Sequence, residues 1–326
     1  STLFPYTTLF RSPYRESPEP RAAIELGGPM ILGVDLEQMP AGQVATVDAG
    51  AVSYPLRSLK ELPAGEYFVQ ALLIRYNQVR RADGHTIWVP TEHRRQPFHT
   101  LPGNLYSKPQ KLRLDPQTDL AARFELTETI PPPAEPKNTE WLRHVRIKSE
   151  LLSKFWGKPI YLGATALLPR DYDKNPKSRY PTVYAQSHGP EPFSFNPDPA
   201  SHERQLWLHK DNVQTGYEFY KTWISDAFPR FVVIVMEQSS PYFLEAYSVD
   251  SANHGPYGKA ITEELIPYLE KEFRLIPHAY ARIVEGASTG GWESLSLQLR
   301  YPDYFGGAWI FNPRSEEHTS ELQSPI

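Results

Sequence analysis

Residues 286–291 read Gly-Ala-Ser-Thr-Gly-Gly and fit the spacing G-x-S-x-G around Ser288. A serine hydroxyl becomes a useful nucleophile when a tight turn lifts it clear of its neighbours. The same turn must set backbone N–H groups beside the oxygen that turns negative during acyl transfer. The spacing is common by chance, so the flanks decide. Residues 282–285 (Arg-Ile-Val-Glu) read as a strand and residues 292–300 as a helix, which gives Ser288 the strand–turn–helix passage this chemistry needs. Gly286 and Gly290 would form the elbow, because the chains around such a turn approach too closely for a Cβ. Thr289 would offer its N–H to the oxyanion at the start of the helix. The competing reading makes Ser288 a helix N-cap beside packing glycines.

The elements that must position this turn alternate between strand and helix from residue 160 onward. Residues 161–168, 182–186 (TVYAQ), 231–236 (FVVIVM) and 308–311 read as further strands, and 231–236 is apolar enough to be covered on both faces. Ile261, Leu265, Ile266, Leu269 and Phe273 fall on one stripe at helical spacing. Pro267 interrupts that stripe, so a kink or a tight first segment is expected. This alternation predicts a mostly parallel sheet with helices on both faces.

Residues 13 to about 129 read as β-rich. Residues 67–76 (YFVQALLIRY) are aromatic and β-branched, Asp83-Gly84 signals a hairpin turn, and residues 86–89 supply the return strand. Residues 110–114 and 121–126 alternate as half-buried strands do. A small β-sandwich is the economical architecture. Residues 130–136 (IPPPAEP) hold four prolines in seven residues and mark a linker, with 138–158 read as helical or mixed.

Composition narrows the chemistry. The chain has 326 residues and no cysteine, which removes disulfides, thiol nucleophiles and thiolate metal sites. A net charge of −4 gives no electrostatic footprint for nucleic acid or an anionic membrane. Proline, at 33 residues, is about twice its usual share of roughly 5 % and points to a loop-rich folded protein. His85, His93 and His99 lack metal-ligand spacing, and no phosphate or dinucleotide fingerprint is present. Aromatics of residues 203–228 (Trp207, Tyr220, Trp223) read as a small local core rather than a substrate cleft.

Several segments together carry a resemblance. They are Gly255-Pro256-Tyr257-Gly258, Glu263-Glu264-Leu265-Ile266-Pro267-Tyr268, the Ser288 turn, and Arg300-Tyr301-Pro302-Asp303-Tyr304-Phe305-Gly306. They resemble the esterase family that includes enterochelin esterases, S-formylglutathione hydrolases, feruloyl esterases and mycolyltransferases. Arg179-Tyr180-Pro181-Thr182-Val183-Tyr184 resembles the family's strand leading to the oxyanion loop. The likeness covers about half the chain. It implies an α/β-hydrolase fold behind a small β-sandwich, a Ser–acid–His triad, no metal or organic cofactor, and a small-molecule or carbohydrate-linked ester as substrate. The second oxyanion donor would come from residues 186–190. Were Gly189 the family's glycine, the donor would be Pro190, which has no N–H. With Ser187 in that place, the His188 N–H donates.

The triad's acid and histidine should follow the serine in the chain. Residues 292–313 contain no histidine, and Asp303 sits in a helix-terminal turn. His254 reads as a loop residue or substrate contact, and Glu293 as a carboxylate placed by the helix dipole. Both ends, residues 1–12 (STLFPYTTLFRS) and 314–326 (RSEEHTSELQSPI), resemble translations of sequencing adapters. They are expected to be unpacked and not native, with the hydrolase domain truncated. The expected organisation is a β-rich domain at 13–130, a linker and lead-in at 131–159, and an incomplete α/β-hydrolase domain at 160–313, in which residues 308–311 pair in parallel beside 282–285. The function expected is a serine carboxylic-ester hydrolase. The alternatives are an acyltransferase or serine peptidase on the same fold, or a noncatalytic binding protein.

Overall fold

The structure, a computed structural model, describes residues 3–10, 19–24, 29–36, 39–48, 50–80, 84–90, 97–115, 117–118, 121–187, 195–200, 214–237, 240–241 and 245–313. Of residues 3–10 only the backbone is described. The chain divides into two compact units, Ser1–Ala134 and Glu135–Ile326.

The first unit contains β1 (Leu3–Phe10), β2 (Met30–Gly33), β3 (Val52–Tyr54), β4 (Gly65–Arg80), β5 (Thr86–Pro90), β6 (Leu105–Tyr106), β7 (Gln110–Leu114) and β8 (Glu128–Thr129). All described pairings are antiparallel. They join into one eight-stranded network that branches at β4. That strand serves two cores from alternate faces. Tyr67 and Val69 pack with Met30, Leu32, Leu62 and Leu114, whereas Leu72 and Ile74 pack with Ile130. Between them the buried Gln70 amide donates to the Ser107 carbonyl at 2.8 Å and accepts the Arg21 backbone N–H at 3.0 Å. A buried amide so satisfied costs little.

Two expectations fail here. Leu3–Phe10, expected to pack nowhere, pairs with β4 from Leu3↔Arg75 to Phe10↔Phe68 and lies between β2 and β4. The aromatic and β-branched residues of that peptide suit a strand, and the edge of β4 offers a row of backbone donors and acceptors. Residues 121–126 alternate but form no strand.

The second unit contains β9 (Leu142–Ser149), α1 (Glu150–Trp156), β10 (Ile160–Leu167), β11 (Thr182–Gln186), α2 (Gly216–Ile224), β12 (Val232–Met236), β13 (Asp250–Ser251), β14 (Gly255–Pro256), α3 (Tyr257–Lys259), α4 (Ile266–Glu272), β15 (Arg282–Ala287), α5 (Thr289–Arg300) and β16 (Gly307–Phe311). The main sheet runs β16-β15-β11-β12-β10-β9, with β10 antiparallel to both its neighbours and the remaining pairs parallel. β9 and α1 are therefore part of this unit, not a lead-in to it. The alternation predicts a mostly parallel sheet; three of the five pairings are parallel, the two made by β10 are not, and β16 lies beside β15 in parallel as expected.

Strict alternation divides the sheet between two cores. Val232, Ile234 and Met236 face a large core with Tyr184, Val284, Leu152, Leu265, Leu269 and Leu297, so α1, α4 and α5 cover that face. Val233 and Val235 face the other core with Ala185, Leu167 and Trp223 of α2. Trp223 and Tyr220 do sit in an aromatic cluster with Phe195, Phe219, Phe228 and Phe231. Trp207 lies outside the described residues.

The helix widens just before Pro267. A π-helical turn (Ala260–Leu265) joins α3 to α4, and Ile266 N–H reaches back five residues to the Ile261 carbonyl. Widening the turn accommodates a residue that has no N–H and whose ring would crowd the preceding turn. Trp309 and Phe311 are 62 % and 54 % exposed on the outermost strand β16.

Candidate active site

The Ser288 turn joins β15 to α5 at the carboxyl ends of the parallel strands. Ser288 holds φ 57° and ψ −121°, and its side chain makes no capping hydrogen bond to the helix. The N-cap reading thus lacks its defining bond. An L-residue in this backbone region costs on the order of 1–3 kcal/mol and persists only where the surroundings enforce it. Two bonds do so. The Ser288 N–H donates to the Phe311 carbonyl at 2.9 Å, and the Trp292 N–H donates to the Ser288 carbonyl at 3.2 Å.

The glycines have the steric role expected of them. A Cβ on Gly286 would overlap the backbone carbonyl of Gly290, and a Cβ on Gly290 would overlap the carbonyl of Gln186. The end of β11, the turn and the first helical residues are therefore packed backbone to backbone. Thr289 is 1 % exposed and begins α5, where a helical N–H has no carbonyl four residues before it. Ser187, next to Gly290, opens the segment in which the second donor is expected, and His188 itself lies outside the described residues.

A segment with no sequence signal completes the surroundings. Tyr247 and Ser248, between β12 and β13, hold φ 57° and 54°, two successive non-glycine residues in the left-handed region. The buried Ser248 hydroxyl donates to the Gln186 side-chain oxygen at 3.2 Å, and the Tyr247 ring meets Trp292 edge-on at 6.4 Å between centroids. This segment thus binds the end of β11 and the first turn of α5 at once.

Other candidates resolve differently. His254 is buried, with Nδ1 2.9 Å from the Ser240 hydroxyl and its carbonyl accepting the Trp156 indole N–H at 3.0 Å, so it anchors a loop. Asp303 is exposed in the turn after α5. Glu293 corrects the dipole reading. It is fully buried, and among the described residues both carboxyl oxygens lack a hydrogen-bond partner, as do the Thr289 and Ser294 hydroxyls near it in the helix. Burial first, and the nearby Glu245 charge second, push its carboxyl well above the ordinary range. Burial also raises Glu285. Among the described residues, no three His, Asp or Glu side chains gather as a metal site.

Residues 162–318 match the family described as "Putative esterase". This segment is of the esterase family. The match begins at Leu162 within β10 and includes the Ser288 turn. A stretch of 75 residues is 29 % identical to the uncharacterized protein YjcH of Bacillus subtilis, covering 23 % of this chain and 31 % of that one. Solved structures similar to the esterase segment include a ferulic acid esterase of Anaeromyces mucronatus, at 17 % identity and TM-score 0.33 over 55 % of this chain and 62 % of that one. An S-formylglutathione hydrolase of Agrobacterium tumefaciens is 16 % identical, with TM-score 0.38 over 57 % and 66 %. The chain thus spans under a third of the curated relative and under two thirds of the ferulic acid esterase.

Proposed function

We propose that the chain is a serine carboxylic-ester hydrolase that works through an acyl-enzyme. The observation that carries this reading is the strained Ser288, which stands without a capping bond at a turn whose glycines cannot be replaced without backbone overlap. In this mechanism the Ser288 Oγ attacks the ester carbonyl and its proton passes to a histidine base. The carbonyl oxygen becomes an oxyanion held by the Thr289 N–H and the His188 N–H, each worth about 3–4 kcal/mol of barrier. Collapse of the tetrahedral intermediate expels the alcohol, which takes the proton, and water then frees the acid by the same route. The substrate is proposed to be a small-molecule or carbohydrate-linked ester, handled without metal or organic cofactor.

The base and its acid partner are proposed to lie outside the described residues, because both should follow the serine in the chain and residues 289–313 hold no histidine. On this reading the described residues lack the base, and the chain turns over slowly. We also propose that residues 1–12 and 314–326 derive from sequencing adapters. Reading the source gene across both junctions tests that origin.

The activity test is p-nitrophenyl acetate hydrolysis by this chain and by Ser288→Ala. Slow release that falls further in Ser288→Ala fits the proposal. Robust Ser288-dependent turnover would place a working base inside the chain. Release that is identical in the two proteins would remove Ser288 from the chemistry.

A further inference from the structure

A second polar cavity lies at the edge of the sheet away from Ser288. It encloses about 210 Å³ and is lined by Arg143, His144, Arg274, Tyr172, Asn138 and Glu272, with apolar side chains as floor. The register fixes its place. Arg143 and His144 pair with Ala166 and Thr165 of β10, level with Ile234 and Val235 of β12, and the Arg274 carbonyl accepts the Tyr180 N–H at 3.1 Å just before β11 begins. Ser288 follows the opposite ends of the parallel strands.

The cationic groups here are held in place but incompletely used. Arg274 stacks its guanidinium on the Tyr172 ring at 3.8 Å and donates from one terminal nitrogen to the Tyr172 carbonyl at 2.9 Å. Its Nε is buried without a partner. Arg274 also holds φ 51°, at the end of α4 where glycine is the favoured residue. Arg143 donates from one terminal nitrogen to the Leu142 carbonyl at 3.4 Å and makes a long contact of 3.6 Å to Asp173, whose carboxylate is largely exposed, and such pairs are weak. His144 is turned by its Nδ1 contact to the Thr165 hydroxyl at 3.0 Å, and its backbone N–H occupies the Asn138 side-chain oxygen at 2.7 Å, leaving the Asn138 amide to donate. Against these donors stands one lining carboxylate, Glu272, which is exposed to solvent.

We propose that this cavity binds a phosphate group, either as the free ion or as a small phosphomonoester. Two guanidinium groups, one stacked and oriented, match the planar fork that recognises oxyanions. The volume is many times the roughly 10–15 Å³ that a single water needs, so it admits a phosphate with a small organic body. The aromatic wall of Tyr172 would lie against that body, and Glu272 at the rim would disfavour more highly charged ligands.

The test is thermal unfolding of the whole chain at constant ionic strength, with inorganic phosphate or phenyl phosphate replacing chloride. Wild type should gain about 2–4 °C at saturating ligand. The larger gain identifies the source, free ion or ester. Arg274→Gly suits the left-handed backbone, so it should fold and lose the gain. Arg143→Gln should lose it as well, whereas Lys177→Gln, outside the cavity, should keep it. No gain in wild type, or a gain that survives in either arginine variant, would overturn the proposal.

Discussion

The backbone N–H of Ser288 donates to the carbonyl of Phe311 at 2.9 Å, tying the turn that presents the hydroxyl to the last residue of the outermost strand. That bond helps hold Ser288 at φ 57°. Glycine adopts this region without penalty, so Ser288→Gly should stabilise the chain by about 1 kcal/mol while removing the hydroxyl. Urea unfolding measures it. A variant less stable than wild type would mean that the serine side chain, not strain, dominates at this position.

Gly290 faces the Gln186 carbonyl with no room for a methyl group. Gly290→Ala should therefore push the turn away from β11 and cost about 1–3 kcal/mol, the usual range for overpacking. Covalent modification of Ser288 should slow as well, since the Thr289 N–H moves with the turn. Unchanged stability and unchanged modification together would contradict the close approach.

Glu293 gives a pH dependence with a defined sign. Its folded-state pKa is raised above the ordinary 4.5, so the folded chain binds more protons than the unfolded chain as pH rises past that value. Stability from this group must then decline with rising pH. Glu293→Gln removes the decline, so the melting-temperature difference, variant minus wild type, should grow between pH 5 and pH 8. A difference that shrinks over that interval would show an ionised, stabilised carboxylate instead.

Glu270 and Arg282 form a largely buried ion pair at 2.6 Å, with the guanidinium also 4.1 Å from the Tyr304 ring. Glu270→Gln leaves that cation without its carboxylate and should cost about 3–5 kcal/mol, measured by chemical denaturation. A loss under 1 kcal/mol would mean that Tyr304 and its carbonyl suffice to hold the arginine.

How much of this was legible in sequence depended on which physics wrote the pattern. Residues 231–236 stand out because a strand buried on both faces is apolar throughout. The Ser288 turn stood out because steric overlap leaves glycine as the residue that fits at 286 and 290. β9 did not, since its Leu-Arg-His-Val-Arg-Ile-Lys-Ser lies at the sheet's edge and mixes charge with apolar residues. The left-handed pair Tyr247–Ser248 is invisible because neither residue type favours that backbone, and only the contacts to Trp292 and Gln186 reveal its role. Alternation misled at residues 121–126, where no neighbouring strand takes up the pattern. Position near a helix start misled at Glu293, where burial outweighs the dipole.

The central claim is that Ser288 is the nucleophile, and covalent trapping tests it most directly. The chain and its Ser288→Ala variant would be incubated with a fluorophosphonate, digested, and mapped by mass spectrometry. The account predicts one slowly forming adduct on the peptide that holds Ser288, absent from the variant. An adduct on another residue that persists in Ser288→Ala, or no adduct on Ser288 after prolonged exposure, would contradict it.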